Sequence, residues 1–360
     1  MKILVVSNQL PSKRYPMNGI FAIDQAKALA EAGAEVVVFA IDTFSMRWRR
    51  KIGIWEEETE GLRCYGFRIP IGNVGYRLTA RIGGWMIKKL YKRVFEKRGE
   101  TAPDYIHTHF AAEFGATLAE KYGIPLIITE HASRVPDEAE MEYRRARHVI
   151  AVSHSFAEKL EKRFEIKCNV VPNIVDYKAF RLTDNRKHIE GRLRLVTTAR
   201  LVREKGIEVI LESMAEAEFA TLEIIGDGPY RERLEKRANE LGISDRVKFA
   251  GMLRREEIGK RYEEADCFVL TSESETFGVA YIEAMATGLP VIATRCGGPE
   301  DFVNGENGIM VEVGDVKGTT DAIHYMHDNW EKFDAGKIRK FVDERFASET
   351  VARKIMEYYD

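Results

Sequence analysis

The chain has 360 residues, 45% of them apolar and 31% charged, with a formal net charge of −2. That length suits two domains better than one, the composition is that of a soluble folded protein, and the near-neutral balance gives no global attraction for nucleic acid. Cys64, Cys168, Cys267 and Cys296 are scattered with no Cys-x-x-Cys pair. This argues against a disulfide framework or a zinc site and for a reducing, cytoplasmic setting.

In chain order, residues 2–7 read as a first buried strand, too short to act as a signal peptide. Residues 20–32 read as a helix, with Phe21, Ala22, Gln25, Leu29 and Ala30 at helical spacing and Gly33 at its end. Further strands are expected at 35–41, 105–107, 126–129, 148–152 and 169–172, separated by helical segments. This alternation predicts a mostly parallel sheet. Residues 181–192 are polar and basic, as in a linker, after which the pattern restarts with strands at 194–199, 221–225, 247–250, 267–271 and 291–293. The expectation is an α/β chain of two doubly wound, Rossmann-like domains facing a cleft. The first domain spans 1–178 and the second 179–340, with a closing helix in 341–360 that can pack on either domain. Ligands in such folds sit beyond the carboxyl ends of the strands.

Residues 275–290 carry the strongest local signal. Glu275 lies in a polar loop after an apolar strand. Glu283 lies eight positions on, inside a helix that Gly278 opens and Gly288 closes. A helix N-terminus favours an oxygen-rich or anionic ligand, and a carboxylate can take two hydrogen bonds from a vicinal diol. Alone, the pair reads equally as one capping and one solvated acid. Arg200 and Lys205 follow another strand end, where two cations can neutralise a diphosphate or simply line a basic loop. Gly226 and Gly228 lie in a strand-to-helix turn, where glycine lets backbone approach a ligand. Met252 and Leu253, after the strand ending near Ala250, can meet a base through backbone groups.

In the first half, His107 and His109 are expected on alternating sides of a strand's end, His107 pointing into the sheet. They read as two structural histidines, or as a metal pair that lacks a third ligand. Glu130 and His131 close the next strand and are second-tier candidates for acceptor binding. Asn18 and Gly19 lie in the first strand-to-helix loop.

Together these pieces resemble a known family. Arg200-Leu201-x-x-x-Lys205-Gly206, Gly226-x-Gly228-Pro229, Phe249-x-Gly251, Ala265-Asp266 and Glu275-x7-Glu283-Ala284-x-Ala286-x-Gly288-x-Pro290-Val291 are similar to retaining glycosyltransferases of family 4, with the GT-B fold. Gly297-Gly298-x-Glu300, Asn304-Gly305-x-Asn307-Gly308 and Val171-Pro172-Asn173-x-Val175-Asp176 extend the likeness. The resemblance implies a hexose-type sugar moved from a nucleoside-diphosphate donor to a glycan, lipid-linked or envelope acceptor, with 1–178 as the acceptor-binding domain, 179–340 as the nucleotide-sugar-binding domain and the helix in 341–360 packing back on the first. It casts Glu283 as the ribose ligand and Glu275 as the group at the donor sugar's hydroxyls. The amides of Phe277 and Gly278 would face the sugar or phosphate, Arg200 and Lys205 the departing diphosphate, and His109 the reaction centre. Gly19 matches a glycine that approaches the phosphates or acceptor, although the family's usual second glycine is missing. No Asp-x-Asp motif appears, so neither metal nor cofactor is expected. A nucleotide-sugar epimerase or hydrolase, and a non-catalytic nucleotide-sugar-binding module, remain as alternatives. A nicotinamide-linked enzyme is disfavoured because residues 4–21 lack a three-glycine turn.

Residues 47–98 hold fourteen Lys and Arg against five Glu, interleaved with Trp48, Trp55, Tyr76, Trp85 and Tyr91. Residues 80–98 are expected as a helix with Ile82, Trp85, Met86, Leu90 and Val94 on one side. That pattern fits either a core helix with a solvated basic face or peripheral docking on an anionic membrane surface, on its inner face.

Overall fold

The computed structural model describes residues 1–11, 19–43, 52–70, 75–132, 135–183, 186 and 189–359. The chain forms two compact units, Met1–Ile174 with Ser348–Asp360, and Val175–Ala347.

The first unit is built on β1 (Lys2–Ser7), β2 (Glu35–Thr43), β3 (Gly53–Thr59), β4 (Leu62–Ile69), β5 (Tyr105–His109), β6 (Leu126–Glu130), β7 (His148–Ala151) and β8 (Cys168–Val170). They form one sheet in the order β3-β4-β2-β1-β5-β6-β7-β8. All pairs are parallel except the β3–β4 hairpin. Its two turn residues, Glu60 and Gly61, both have positive φ, which suits the twist of a tight hairpin. The central strand β1 is buried along its whole length, as in a sheet covered on both faces. Register places Ser7 beside His109 and His109 beside Thr129, so three adjacent carboxyl ends meet at one edge.

The helices of this unit are α1 (Ile20–Glu31), α2 (Tyr76–Tyr91), α3 (Ala112–Tyr122), α4 (Glu140–Arg145) and α5 (His154–Phe164), with a π-helical turn at Lys92–Glu96 after α2. α2 packs on α3 through glycines. A Cβ on Gly83 would lie 2.2 Å from the Phe114 ring, and one on Gly84 3.1 Å from Thr117. The buried face is therefore centred on Gly83, Gly84 and Ile87, which turns Trp85 outward, 58% exposed, away from the side it was expected to share with Met86 and Leu90.

The second unit carries β9 (Leu193–Thr198), β10 (Ala220–Ile225), β11 (Val247–Gly251), β12 (Cys267–Leu270), β13 (Val291–Thr294) and β14 (Gly308–Val311), all parallel, in the order β11-β10-β9-β12-β13-β14. Its helices are α6 (Ile207–Ala215), α7 (Arg231–Glu240), α8 (Arg255–Glu264), α9 (Val279–Ala286), α10 (Val316–Asn329) and α11 (Ala335–Phe346). The last helix, α12 (Ser348–Met356), belongs to the first unit, where Val351, Ala352, Ile355 and Tyr359 are buried among Ile3, Ile23, Leu29 and Val36. The chain therefore changes unit at 174/175 and again at 347/348. The two crossings lie together, since the Val175 amide donates to the Phe346 carbonyl at 3.1 Å. Within the expected linker Arg186 is held to the second unit, where it donates to the carbonyls of Tyr262, Ala265 and Thr287.

Candidate active site

In the second unit three strand ends are locked together by close backbone approach. Gly206, with φ 64°, precedes α6, and a Cβ there would stand 1.9 Å from the Thr271 carbonyl oxygen. The Thr271 hydroxyl donates to the Gly206 carbonyl at 2.7 Å, and the Glu273 amide to the Glu204 carbonyl at 2.8 Å. The loop after β9 thus lies directly on the loop after β12. That contact delivers Lys205 to Glu275, with Nζ 2.6 Å from Oε1. The Ser272 hydroxyl donates to the same oxygen at 2.7 Å. The Glu275 amide donates to the Cys296 carbonyl and the Gly298 amide to the Glu275 carbonyl, so the loop after β13 closes the frame. Arg200 is exposed at the end of β9, on the loop that carries Lys205.

Gly278, with φ 95°, stands at the N-terminus of α9, and Phe277 beside it is buried against Phe302 and Phe346. Gly298 has to be glycine, because a Cβ would fall 2.3 Å from Phe277 Cα. Gly226 and Gly228 also have packing reasons: their Cβ atoms would meet the Ala199 and Leu201 carbonyls at 1.9 and 2.3 Å. They bring the loops after β9 and β10 together. Met252 is 68% exposed beyond β11, and Leu253 is half-buried next to it.

Glu283 lies on α9 with its side chain almost fully buried, and Arg255 Nη2 of α8 is 3.6 Å away. Burial, with the Glu283 carboxylate adding to it, pushes the Tyr262 phenol upward.

In the first unit the histidines form one cluster. Residues i and i+2 of a strand share a face, so His107 and His109 stack with ring centres 4.6 Å apart, and the expectation of alternating sides does not hold. His107 Nδ1 meets the Tyr359 hydroxyl at 2.5 Å, and its Nε2 meets Thr129 Oγ1 at 2.7 Å. His109 Nδ1 meets His131 Nε2 at 3.1 Å, and His131 stacks on Phe110 and Phe21. Burial holds all three imidazoles well below their ordinary range, His107 and His131 at about 3. They are neutral near pH 7. Among the described residues no group of three His, Cys, Asp or Glu could hold a metal ion. The Glu130 carboxylate is buried and accepts from the His131 and Ala132 amides and the Tyr143 hydroxyl, which fixes the end of β6. Gly19 stands before α1 with φ 67°, where a Cβ would lie 2.0 Å from the Gln9 carbonyl. Asn18 lies outside the described residues, as do residues 47–51 and 71–74 of the basic segment.

Residues 19–179 match the family Glycosyltransferase Family 4, and residues 181–338 match Glycosyl transferases group 1. The chain belongs to glycosyltransferase family 4. It is 26% identical to the putative teichuronic acid biosynthesis glycosyltransferase of Bacillus subtilis, over 97% of this chain and 99% of that one. It is 30% identical to N-acetyl-alpha-D-glucosaminyl L-malate synthase of Bacillus anthracis, over 59% of each. Among solved structures, a sucrose-phosphate synthase from Thermosynechococcus elongatus superposes with a TM-score of 0.80 at 22% identity, covering 99% of this chain and 98% of that one. Anabaena HepE, solved with UDP and glucose, gives 0.75 at 21% identity and the same coverage. The fold is GT-B.

Sequence reasoning missed three residues of these candidate clusters, Ser272 and Arg255 in the second unit and Tyr359 in the first. Ser272 sits just past the apolar strand that frames Glu275, and a hydroxyl three residues before an acid was the available signal. Arg255 and Tyr359 reach their partners only through the tertiary fold, and no local pattern marks them.

Proposed function

We propose that this enzyme moves a hexose-type sugar from a nucleoside-diphosphate donor to a glycan, lipid-linked or envelope acceptor, with retention of anomeric configuration and without a metal. The observation that carries the reading is the Lys205–Glu275–Ser272 group, built where the loops after β9, β12 and β13 interlock at the N-terminus of α9. It puts a cation, a hydrogen-bonding carboxylate and helix-terminal amides within one small patch, as a sugar diphosphate requires. In this reading Arg200 and Lys205 meet the charge that develops on the diphosphate as the anomeric C–O bond breaks. Removing one such charge costs about 2–4 kcal/mol of barrier. Glu275 orients the sugar through its hydroxyls, Glu283 holds the ribose, and the amides of Phe277 and Gly278 face the phosphate or sugar. Met252 and Leu253 offer backbone groups to the base. The acceptor hydroxyl attacks on the face the diphosphate leaves, and its proton passes to the departing phosphate. His109 is fully buried, and burial lowers its basicity, so it is a poor base for taking a proton from the acceptor hydroxyl.

The test is incubation with UDP-, GDP- and ADP-sugars in the presence and absence of envelope glycan or lipid-linked acceptors. Mass spectrometry and the anomeric proton coupling of the product give the result. Acceptor-dependent transfer with retention supports the reading. Inversion at the anomeric carbon, free sugar or an epimer as sole product, or binding without turnover overturns it.

We also propose that the first unit docks on an anionic membrane surface through α2, on the inner face in a cytoplasmic setting. Leu78 and Trp85 are 46% and 58% exposed on a helix that also exposes Arg77, Arg81 and Lys89. Apolar groups flanked by cations are what an anionic interface binds. Among the described residues no helix is long and apolar enough to cross a membrane.

A further inference from the structure

Three segments far apart in sequence converge on Arg255. It is the first residue of α8, directly after the loop that carries Met252 and Leu253. Its side chain is 8% exposed, and the two arms of its guanidinium point to different carboxylates. Nη2 is 3.6 Å from Glu283 Oε1, and Nη1 is 3.9 Å from Asp176 Oδ2. Glu283 is buried to the same degree. A carboxylate taken out of water drifts toward its neutral form, and a neutral carboxyl is a poorer acceptor for a diol. A buried guanidinium needs carboxylate neighbours for the converse reason. The Arg255–Glu283 separation is that of an ion pair and not of a direct hydrogen bond, so Arg255 acts on Glu283 mainly through charge.

We propose that Arg255 is a positioning residue for the donor: it keeps Glu283 ionised and aimed at the ribose, and links that contact to the loop after β11. The proposal rests on Glu283 being the ribose ligand, and it goes further in assigning the preference for ribose over deoxyribose to a residue on a different helix. Asp176 fixes the other arm of the fork. The Lys178 amide in turn donates to Asp176 Oδ1 at 3.0 Å, so the anchor is itself held. Arg255 makes no covalent or proton-transfer contribution in this scheme.

The experiment compares ribose with deoxyribose. UDP, GDP and ADP, their 2′-deoxy counterparts and inorganic pyrophosphate are titrated by calorimetry into the wild type, Arg255→Met, Arg255→Lys and Glu283→Gln. In the wild type the best ribonucleotide binds at least about tenfold more tightly than its deoxy form, as expected for one lost hydrogen bond to a charged acceptor. In Arg255→Met that ratio falls toward one, pyrophosphate affinity is unchanged, and Arg255→Lys recovers most of the discrimination. Adding Arg255→Met to Glu283→Gln produces no further loss. A folded Arg255→Met that keeps the wild-type ratio overturns the proposal. So does a variant in which pyrophosphate weakens in step with the nucleotide, which is the mark of general damage. Should Arg255→Met fail to fold, Arg255→Lys and Arg255→Gln decide by the same ratio. A wild type that binds a nucleotide without distinguishing ribose from deoxyribose removes the Glu283 assignment and this proposal together. Binding of no nucleotide at all removes the donor reading itself.

Discussion

Lys205 Nζ and Glu275 Oε1 lie 2.6 Å apart, and the Ser272 hydroxyl shares the same carboxylate oxygen at 2.7 Å. The two residues that the family resemblance casts at opposite ends of a sugar phosphate thus hold each other. The pair is half-shielded from water, with side chains 26% and 12% exposed. In the proposed reading a diphosphate at Lys205 competes with Glu275 for the ammonium and frees Glu275 for the sugar hydroxyls, which would couple phosphate capture to sugar orientation.

If that coupling holds, Lys205→Ala lowers kcat by about 10²–10³-fold, the range for losing one preorganised charge at a reacting centre. Glu275→Gln keeps the shape but weakens the grip on both Lys205 and the sugar. It is expected to cost a similar factor, with far less than an additive loss in the double variant. Steady-state kinetics on the four proteins of the cycle, with melting curves to confirm folding, measure this. Additive losses would show that the two residues act separately.

Much of the scaffold was legible in the sequence because parallel strands and their helices leave local periodic patterns. Buried strands such as Lys2–Ser7 read as short apolar runs, and α9 is bracketed by Gly278 and Gly288. What stayed hidden was set by contacts between distant segments. Gly226 and Gly228 were read as letting backbone approach a ligand, yet in the fold they, like Gly206, also let one strand-end loop rest on another. Which face of α2 is buried was not legible either: the Gly83 and Gly84 contacts with α3 set it and leave Trp85 outside. The His107–His109 relationship was available from the two-residue period of a strand. Its partner Tyr359 was not, lying 252 positions away.

Gly206→Ala tests the loop contact that delivers Lys205. The position combines positive φ with a Cβ 1.9 Å from a backbone oxygen, so the loop has to move. The expected result is a stability loss of about 1–3 kcal/mol and a kcat decrease approaching that of Lys205→Ala. Gly305→Ala, where a Cβ would meet nothing within 4 Å, serves as the control and is expected to be near neutral. Urea titration and kinetics on both variants check this.

The buried histidines give a pH signature with a definite sign. His107 is held at about 3 by burial, below the value of an unfolded histidine, so the unfolded state binds the proton first. Its contribution to stability is complete above about pH 6.5 and is lost as pH falls from there toward 3, at about 1.4 kcal/mol per pH unit. Glu113, raised to about 7 by burial, has the opposite slope over part of this range, so the total curve is a poor measure of either group. The difference between wild type and His107→Gln isolates the histidine. It is expected to be largest at pH 7 to 8, where the Tyr359 and Thr129 contacts are intact, and to shrink as pH falls below 6.5. Urea midpoints from pH 8 to pH 5 measure it, and a difference independent of pH would mean His107 is not buried in its neutral form.

Docking through α2 makes Trp85 and the cations beside it separable from the fold. Trp85 lies outside the buried face, and Lys89 Nζ sits 5.1 Å from its ring centre, so Trp85→Ser removes an apolar anchor and leaves the packing on α3 in place. Arg77→Gln with Arg81→Gln removes two exposed cations, each worth about 1 kcal/mol near an anionic surface. Vesicles of phosphatidylglycerol and phosphatidylethanolamine should retain the wild-type protein at low salt, and neutral phosphatidylcholine vesicles should not. Trp85→Ser should weaken binding at every salt concentration, because the apolar term is unscreened. The double Arg variant should lose most of its salt dependence. Melting temperatures of all three proteins are expected to agree closely. Wild-type protein that fails to sediment with anionic vesicles at low salt would leave α2 as a surface helix with a solvated basic face. Binding that survives Trp85→Ser unchanged would move the contact elsewhere on the first unit.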